Sequence, residues 1–275
     1  MKILKKIGMV IFELILSIDI VVLIYLGILN NTILNKNYIF EKLEKTNYYS
    51  EVYNIVEDNF EKYIDQSGLD ESVINNIVSE EKIKSDTKII IDNIFEGKNE
   101  EISCNEIKQV LKKNILNTFQ NQNLPNENAI EEFAQKIADE YSTDILNNKY
   151  ISSINEKFIQ MQKYISKIKI CSIVILIISI LVIFLVNIKS LNECLTAIEI
   201  SGLASGILLI FSNIFINTKI NIQSILILNN AFSIVFRNIL LSILNSIKNY
   251  GIILVITFLL ITIIDSIIKN NKKEK

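Results

Sequence analysis

The chain has no histidine and no tryptophan, one proline (Pro125), one arginine (Arg237) and seven glycines in 275 residues. Without histidine there can be no HExxH zinc site, no Ser-His or Cys-His nucleophile pair and no imidazole metal cage. The three cysteines, Cys104, Cys171 and Cys194, are odd in number and unrelated in spacing. They therefore supply neither a disulfide framework nor a CxxC pair for zinc or redox chemistry, and a small buried side chain is the expected role of each. Isoleucine, asparagine and lysine are used heavily in their place, the codon bias of an AT-rich genome, and the absences are read as genomic before functional. A formal charge of −2 gives no electrostatic reason to expect nucleic acid or an acidic surface as a partner. No cofactor is indicated.

What the chain has is apolar length. Half of its residues are hydrophobic, enough for a membrane bundle and one modest aqueous domain. Lys2, Lys5 and Lys6 precede the run Ile7 to Leu29, which at 1.5 Å per residue can cross a hydrocarbon core of about 30 Å. A cleavable leader would have a shorter run ending in small residues, so this run is read as an uncleaved anchor with a cytoplasmic N-terminus. From Tyr150, the stripe Ile151, Ile154, Phe158, Met161, Ile165 and Ile168 leads without Pro or Gly into the uncharged run Ile170 to Val186. One helix is expected to leave an aqueous domain and enter the bilayer there, paired as a stalk with a first-span helix that continues past Asn30.

The fold expected is all-α: a four-helix transmembrane bundle with an extracytoplasmic all-helical domain inserted between the first and second spans. Residues 1–29 form the cytoplasmic tip and first span, 30–169 the extracytoplasmic domain with its stalk helices, and 170–275 the membrane domain. The later spans fall at 170–187, 194–216 and 250–268. Between the last two, Arg237 and several asparagines oppose an apolar face, so 222–247 is read as an interfacial or re-entrant helix. Lys269, Lys272, Lys273 and Lys275 put the C-terminus in the cytoplasm, whereas Lys163, Lys167 and Lys169 oppose this orientation.

Inside 30–169 five helices are expected. The first carries Val52 to Ile64 and ends at Gly68. Asp70 caps a short second helix through Val78, and Asp86 caps a third closed by Gly97. The fourth runs from Ile107 to Phe119, and the fifth from Ile130 to Ile145 after a turn at Pro125.

The residues that could carry chemistry are the intramembrane carboxylates Asp19, Glu13 and Glu199. Asp19 lies about 18 Å along the first span, near mid-membrane. Acids in lipid need a protein interior, water or a basic partner, and three readings follow: a cation or proton path, pairing with Lys or Arg on another subunit's helix, or simple solvation near the headgroups. Gly202 and Gly206, with Ala197, Ser201 and Ser205, form a small-residue helix-packing face.

The segment Tyr63-Ile-Asp-Gln-Ser-Gly-Leu-Asp-Glu-Ser-Val73, with Lys84-Ser-Asp86 and Phe95-Glu-Gly97, resembles uncharacterised multi-pass membrane proteins of low-GC Gram-positive bacteria, a resemblance that implies no activity. The layout of one span, an outer domain and three spans is similar to that of the FtsX and MacB type of transporter permease, without their motifs. The reading that follows is a non-enzymatic protein of the bacterial cytoplasmic membrane whose outer domain binds a protein partner as sensor, adaptor or assembly factor. The alternative is a transport component using the intramembrane carboxylates. A membrane enzyme, which would depend on carboxylates alone, comes third.

Overall fold

A computed structural model describes the backbone of residues 2–119, 126–145, 148–188, 190–227 and 229–273, and the side chains of these except 2–5, 148–153 and 270–273. Pro125, Lys189 and Lys275 lie outside the described residues, as do the side chains of Lys2, Lys5, Ile151, Lys272 and Lys273. The described chain is all-helical and has no strand. Its helices are α1 (Lys2–Asn31), α2 (Lys36–Lys45), α3 (Tyr48–Ser67), α4 (Glu80–Glu96), α5 (Asn105–Thr118), α6 (Glu127–Ile145), α7 (Asn148–Val186), α8 (Leu191–Lys219) and α9 (Asn230–Lys273), with 3-10 turns at Glu71–Ile74 and Ile222–Ser224. Four of them, α1, α7, α8 and α9, are long and apolar enough to cross a membrane. The chain divides into two compact units, one of Met1–Ile39, Lys163–Leu228 and Phe236–Lys275, the other of Phe40–Gln162 and Asn229–Val235.

In the second unit, α3 buries Val52, Val56, Phe60 and Ile64, one residue per turn, against α4 and α6, while α5 packs on α6 through Ile107, Leu111 and Ile115. The helix ends have visible causes. Gly68 and Gly97 both adopt the left-handed conformation (φ 69° and 67°) that glycine tolerates, and close α3 and α4 as expected. Asp70 accepts from the Ser72 amide at 2.9 Å, but what it caps is a single 3-10 turn held by Asn114, which donates to the Val73 and Asn75 carbonyls at 3.0 and 2.9 Å.

Asp86 is not a cap. Helix α4 starts six residues earlier, where Ser79 accepts from the Lys82 amide at 3.2 Å and Glu80 and Glu81 complement the helix dipole. Asp86 is instead buried mid-helix, where its Oδ2 accepts from the Tyr141 hydroxyl at 2.7 Å and from Lys82 Nζ at 3.1 Å. Burial and the Asp86 hydrogen bond hold the Tyr141 phenol well above its usual range.

The stalk is also revised. Helix α1 stops at Asn31, because the Thr32 hydroxyl donates to the Ile28 carbonyl at 2.7 Å and the Leu34 amide folds back on the Leu29 carbonyl at 3.0 Å. Asn35 then caps α2, an unforeseen helix, by accepting from the amides of Asn37 and Tyr38. On α7 the expected seam residues Ile154 and Met161 are 41% and 37% exposed. Of the seam, Phe158 packs instead on the end of α4, meeting Phe95 at 4.8 Å between centroids, and beside it Asn155 donates to the Lys98 carbonyl at 2.8 Å.

Hydropathy separates 222–247 from 250–268, yet α9 runs unbroken from Asn230 to Lys273. Asn245, Lys248 and Asn249 interrupt the apolar pattern without interrupting the backbone. None of them is a helix breaker, and one interior glycine, Gly251, lowers helix propensity by only about 1 kcal/mol.

Candidate functional site

The membrane bundle is zipped by small and hydroxylated residues of α8, which face two ways. Ser201 Oγ lies 3.1 Å from the Glu13 carbonyl and Ser205 Oγ lies 3.0 Å from the Ser17 carbonyl, while Tyr25 and Ser212 share a hydroxyl hydrogen bond of 2.6 Å. Residue numbers rise together along these contacts, so α1 and α8 run parallel. A hundred degrees around α8, Gly202 and Gly206 admit α9. A Cβ on Gly206 would sit 2.8 Å from Val255 Cγ2 and 2.9 Å from the Gly251 carbonyl oxygen, and one on Gly202 would meet the Phe258 ring. Asn213 adds a bond to the Leu244 carbonyl at 2.7 Å. Here the numbers run oppositely and the helices are antiparallel. The sequence's small-residue pattern thus serves two seams.

Helix α7 lies antiparallel to α1. At one end of this pairing Asn187 donates to Met9 Sδ at 3.1 Å, beside a cluster of Leu16, Ile183, Cys194 and Ala197. At the other, the Ser172 hydroxyl donates to Asp19 Oδ1. Asp19 is 5% exposed, and its Oδ2 is buried with no hydrogen-bond partner among the described residues. An orphaned buried carboxylate oxygen is costly, which makes it the most conspicuous polar atom of the bundle.

The register also relocates Asp19. Ser172 is the third residue of α7's uncharged run and follows Lys169 by three positions, and the large apolar side chains that α1 exposes end at Ile18. The acid is therefore level with the charged end of α7's apolar run, not with its middle. Counting along Ile7 to Leu29 sets Asp19 mid-run on α1, whereas the apolar side chains from Ile20 to Leu29 are half-buried or buried.

Glu199 is also 5% exposed, whereas Glu13 is half-buried and contributes its backbone carbonyl to the α8 seam. The α1–α8 register puts Glu13 and Glu199 within about 3 Å of the same level, and Asp19 about 9 Å beyond Glu13 and about 12 Å beyond Glu199 along the axis, at 1.5 Å per residue. The structure does not draw the three carboxylates into one cluster. Ser172 was missed by sequence reasoning, since only the α1–α7 pairing gives a serine in an apolar run that role.

The helical unit carries a second feature, a cleft of about 250 Å³ between α3 and the Glu71–Val78 segment. Its lining includes Tyr53, Glu57, Glu61, Glu71 and Asn76 around the apolar Phe60, with Tyr53 donating to Glu57 at 3.1 Å. Three carboxylates line it and no basic side chain does.

The chain matches no protein-family description, no curated protein and no solved structure, so the two sites are read from their geometry alone.

Proposed function

We propose that this chain is a non-enzymatic, multi-pass protein of the bacterial cytoplasmic membrane, both termini cytoplasmic, whose helical unit captures a segment of a protein partner outside the membrane. The orientation rests on the lysines that flank both termini. The observation that carries the binding role is the cleft beside α3. A mainly polar cleft rimmed by Glu57, Glu61 and Glu71, with no basic side chain in its lining, fits a segment that presents Lys or Arg.

A photoreactive amino acid placed at Asn75 in living cells tests this. A discrete adduct is expected, lost with Glu57→Lys and Glu61→Lys together and kept with Glu132→Lys on an exposed face of α6. No adduct, or one indifferent to the charge reversal, refutes the binding role. Orientation is tested separately: in a cysteine-free background, Gln66→Cys is expected to react with an impermeant maleimide in intact cells.

A second reading, a transport component, is favoured by the orphaned Asp19 Oδ2, because an unpaired carboxylate oxygen inside a bundle is a ready ligand for a transported cation. Cation-linked flux into vesicles that disappears with Asp19→Asn would establish it in place of the first.

A further inference from the structure

The end of the membrane bundle remote from the termini carries an unbalanced positive collar, and we infer that Lys163, Lys167, Lys169 and Lys248 bind the phosphate headgroups of anionic lipids in that leaflet. The register assembles the collar. Ser172 of α7 is level with Asp19, and Gly251 of α9 is level with Gly206, next to the Ser205 that meets Ser17 two residues below Asp19. Lys169 and Lys248 each stand three residues beyond these marks, about 4.5 Å at 1.5 Å per residue, and Lys167 and Lys163 follow within about 14 Å. All four side chains are exposed.

Two further observations accompany the collar on α7 and α9, while α8 exposes Phe211, Ile214 and Phe215 at the same level. On the side nearer the termini, α7 and α9 expose mainly apolar side chains, from Ile170 to Leu185 and from Ile252 to Ile264. Among the lysines stand Tyr164 and Tyr250, 63% and 46% exposed, the amphipathic side chain that favours the headgroup boundary. Lysine stems can lie along the acyl chains with the ammonium at phosphate level.

The charge is uncompensated by the local sequence. Neither 157–192 nor 200–264 contains Asp or Glu, and in 14–31 the single carboxylate is Asp19, buried against Ser172. Four ammonium groups facing one headgroup layer without acids of their own make a surface that zwitterionic lipid neutralises poorly and anionic lipid neutralises well. The inference needs only that the bundle spans a bilayer, and holds for either orientation and either functional reading.

The test is thermal melting of the full chain in nanodiscs of phosphatidylcholine alone and of phosphatidylcholine with phosphatidylglycerol. The melting temperature is expected to rise with phosphatidylglycerol and the rise to shrink as sodium chloride is added. Replacing the four lysines by Gln is expected to remove most of the rise, replacing them by Arg to restore it, and Lys5→Gln with Lys6→Gln at the other end to leave it intact. No rise in the unaltered protein overturns the inference without recourse to any variant. So does an equal rise in the four-Gln variant, or an equal effect of inorganic phosphate added to phosphatidylcholine nanodiscs, which would mark a free-anion site instead of a lipid surface.

Discussion

Gly206→Ala isolates the close approach of α8 and α9. The new methyl would lie 2.8 Å from Val255 Cγ2, 2.9 Å from the Gly251 carbonyl oxygen and 2.9 Å from the Val255 amide nitrogen, whereas carbon atoms prefer about 3.5 to 4.0 Å. Two of the three obstacles are backbone atoms, so relief requires the helices to separate by several tenths of an ångström along their whole contact. Overpacking of this kind costs about 1 to 3 kcal/mol. Against it stands the helix-propensity gain of Gly to Ala, about 1 kcal/mol. Gly27→Ala supplies the reference: it is also within a helix of the bundle, and a Cβ there has no atom within 4 Å. The propensity gain largely cancels between the two variants, and their difference, about 1 to 3 kcal/mol in favour of Gly27→Ala, reads the packing alone. Melting in dodecyl maltoside, followed by loss of the monodisperse peak on size exclusion, is sufficient to rank them. A Gly206→Ala protein that melts at or above Gly27→Ala would refute the close approach.

Ser172→Ala removes the donor to Asp19 Oδ1 and is expected to cost about 1 to 3 kcal/mol, but little in an Asp19→Leu background, so a double-mutant cycle on melting temperature should show strong coupling. Asp19→Leu alone is expected to hold or raise stability, since it removes a desolvated acid. In the helical unit, burial raises the Asp144 carboxyl to about 6, Glu140 adding to the rise while Asn59, which donates to both its oxygens, and Lys62 oppose it. A raised acid binds its proton more tightly when folded, so stability falls as pH rises from about 4, the unfolded value, to 6 and is flat above. Melting of Asp144→Asn against the unaltered chain across that window should show the slope abolished; a slope that survives would place its source elsewhere.

The helical class and most helix positions were legible because amphipathic spacing and glycine stops act locally: Val52 to Ile64 declares α3, and Gly68 and Gly97 end their helices where the pattern stops. What escaped depended on distant partners. Asp86 before an apolar stretch has the form of a cap, and only Tyr141, 55 residues away, makes it a buried acceptor. Hydropathy split α9 because it registers polarity, while helix continuity is a property of the backbone. At the candidate site the acidic residues could be named from the sequence, but not that Asp19 meets Ser172, nor that it stands at the charged end of α7's apolar run, both consequences of an interhelical register that no single segment encodes.

The hydroxyls of Ser201 and Ser205 each reach two acceptors, one across the seam on α1 and one at home, the Ala197 and Ser201 carbonyls at 2.9 and 2.6 Å. A hydroxyl owns one proton, so it serves one carbonyl at a time. If α1 drew away from α8, each proton would swing back to its own helix and no donor would be stranded in hydrocarbon. Of the polar contacts along the seam, only the Tyr25–Ser212 hydroxyl bond would then be lost outright, so the two serines set no electrostatic barrier to opening it.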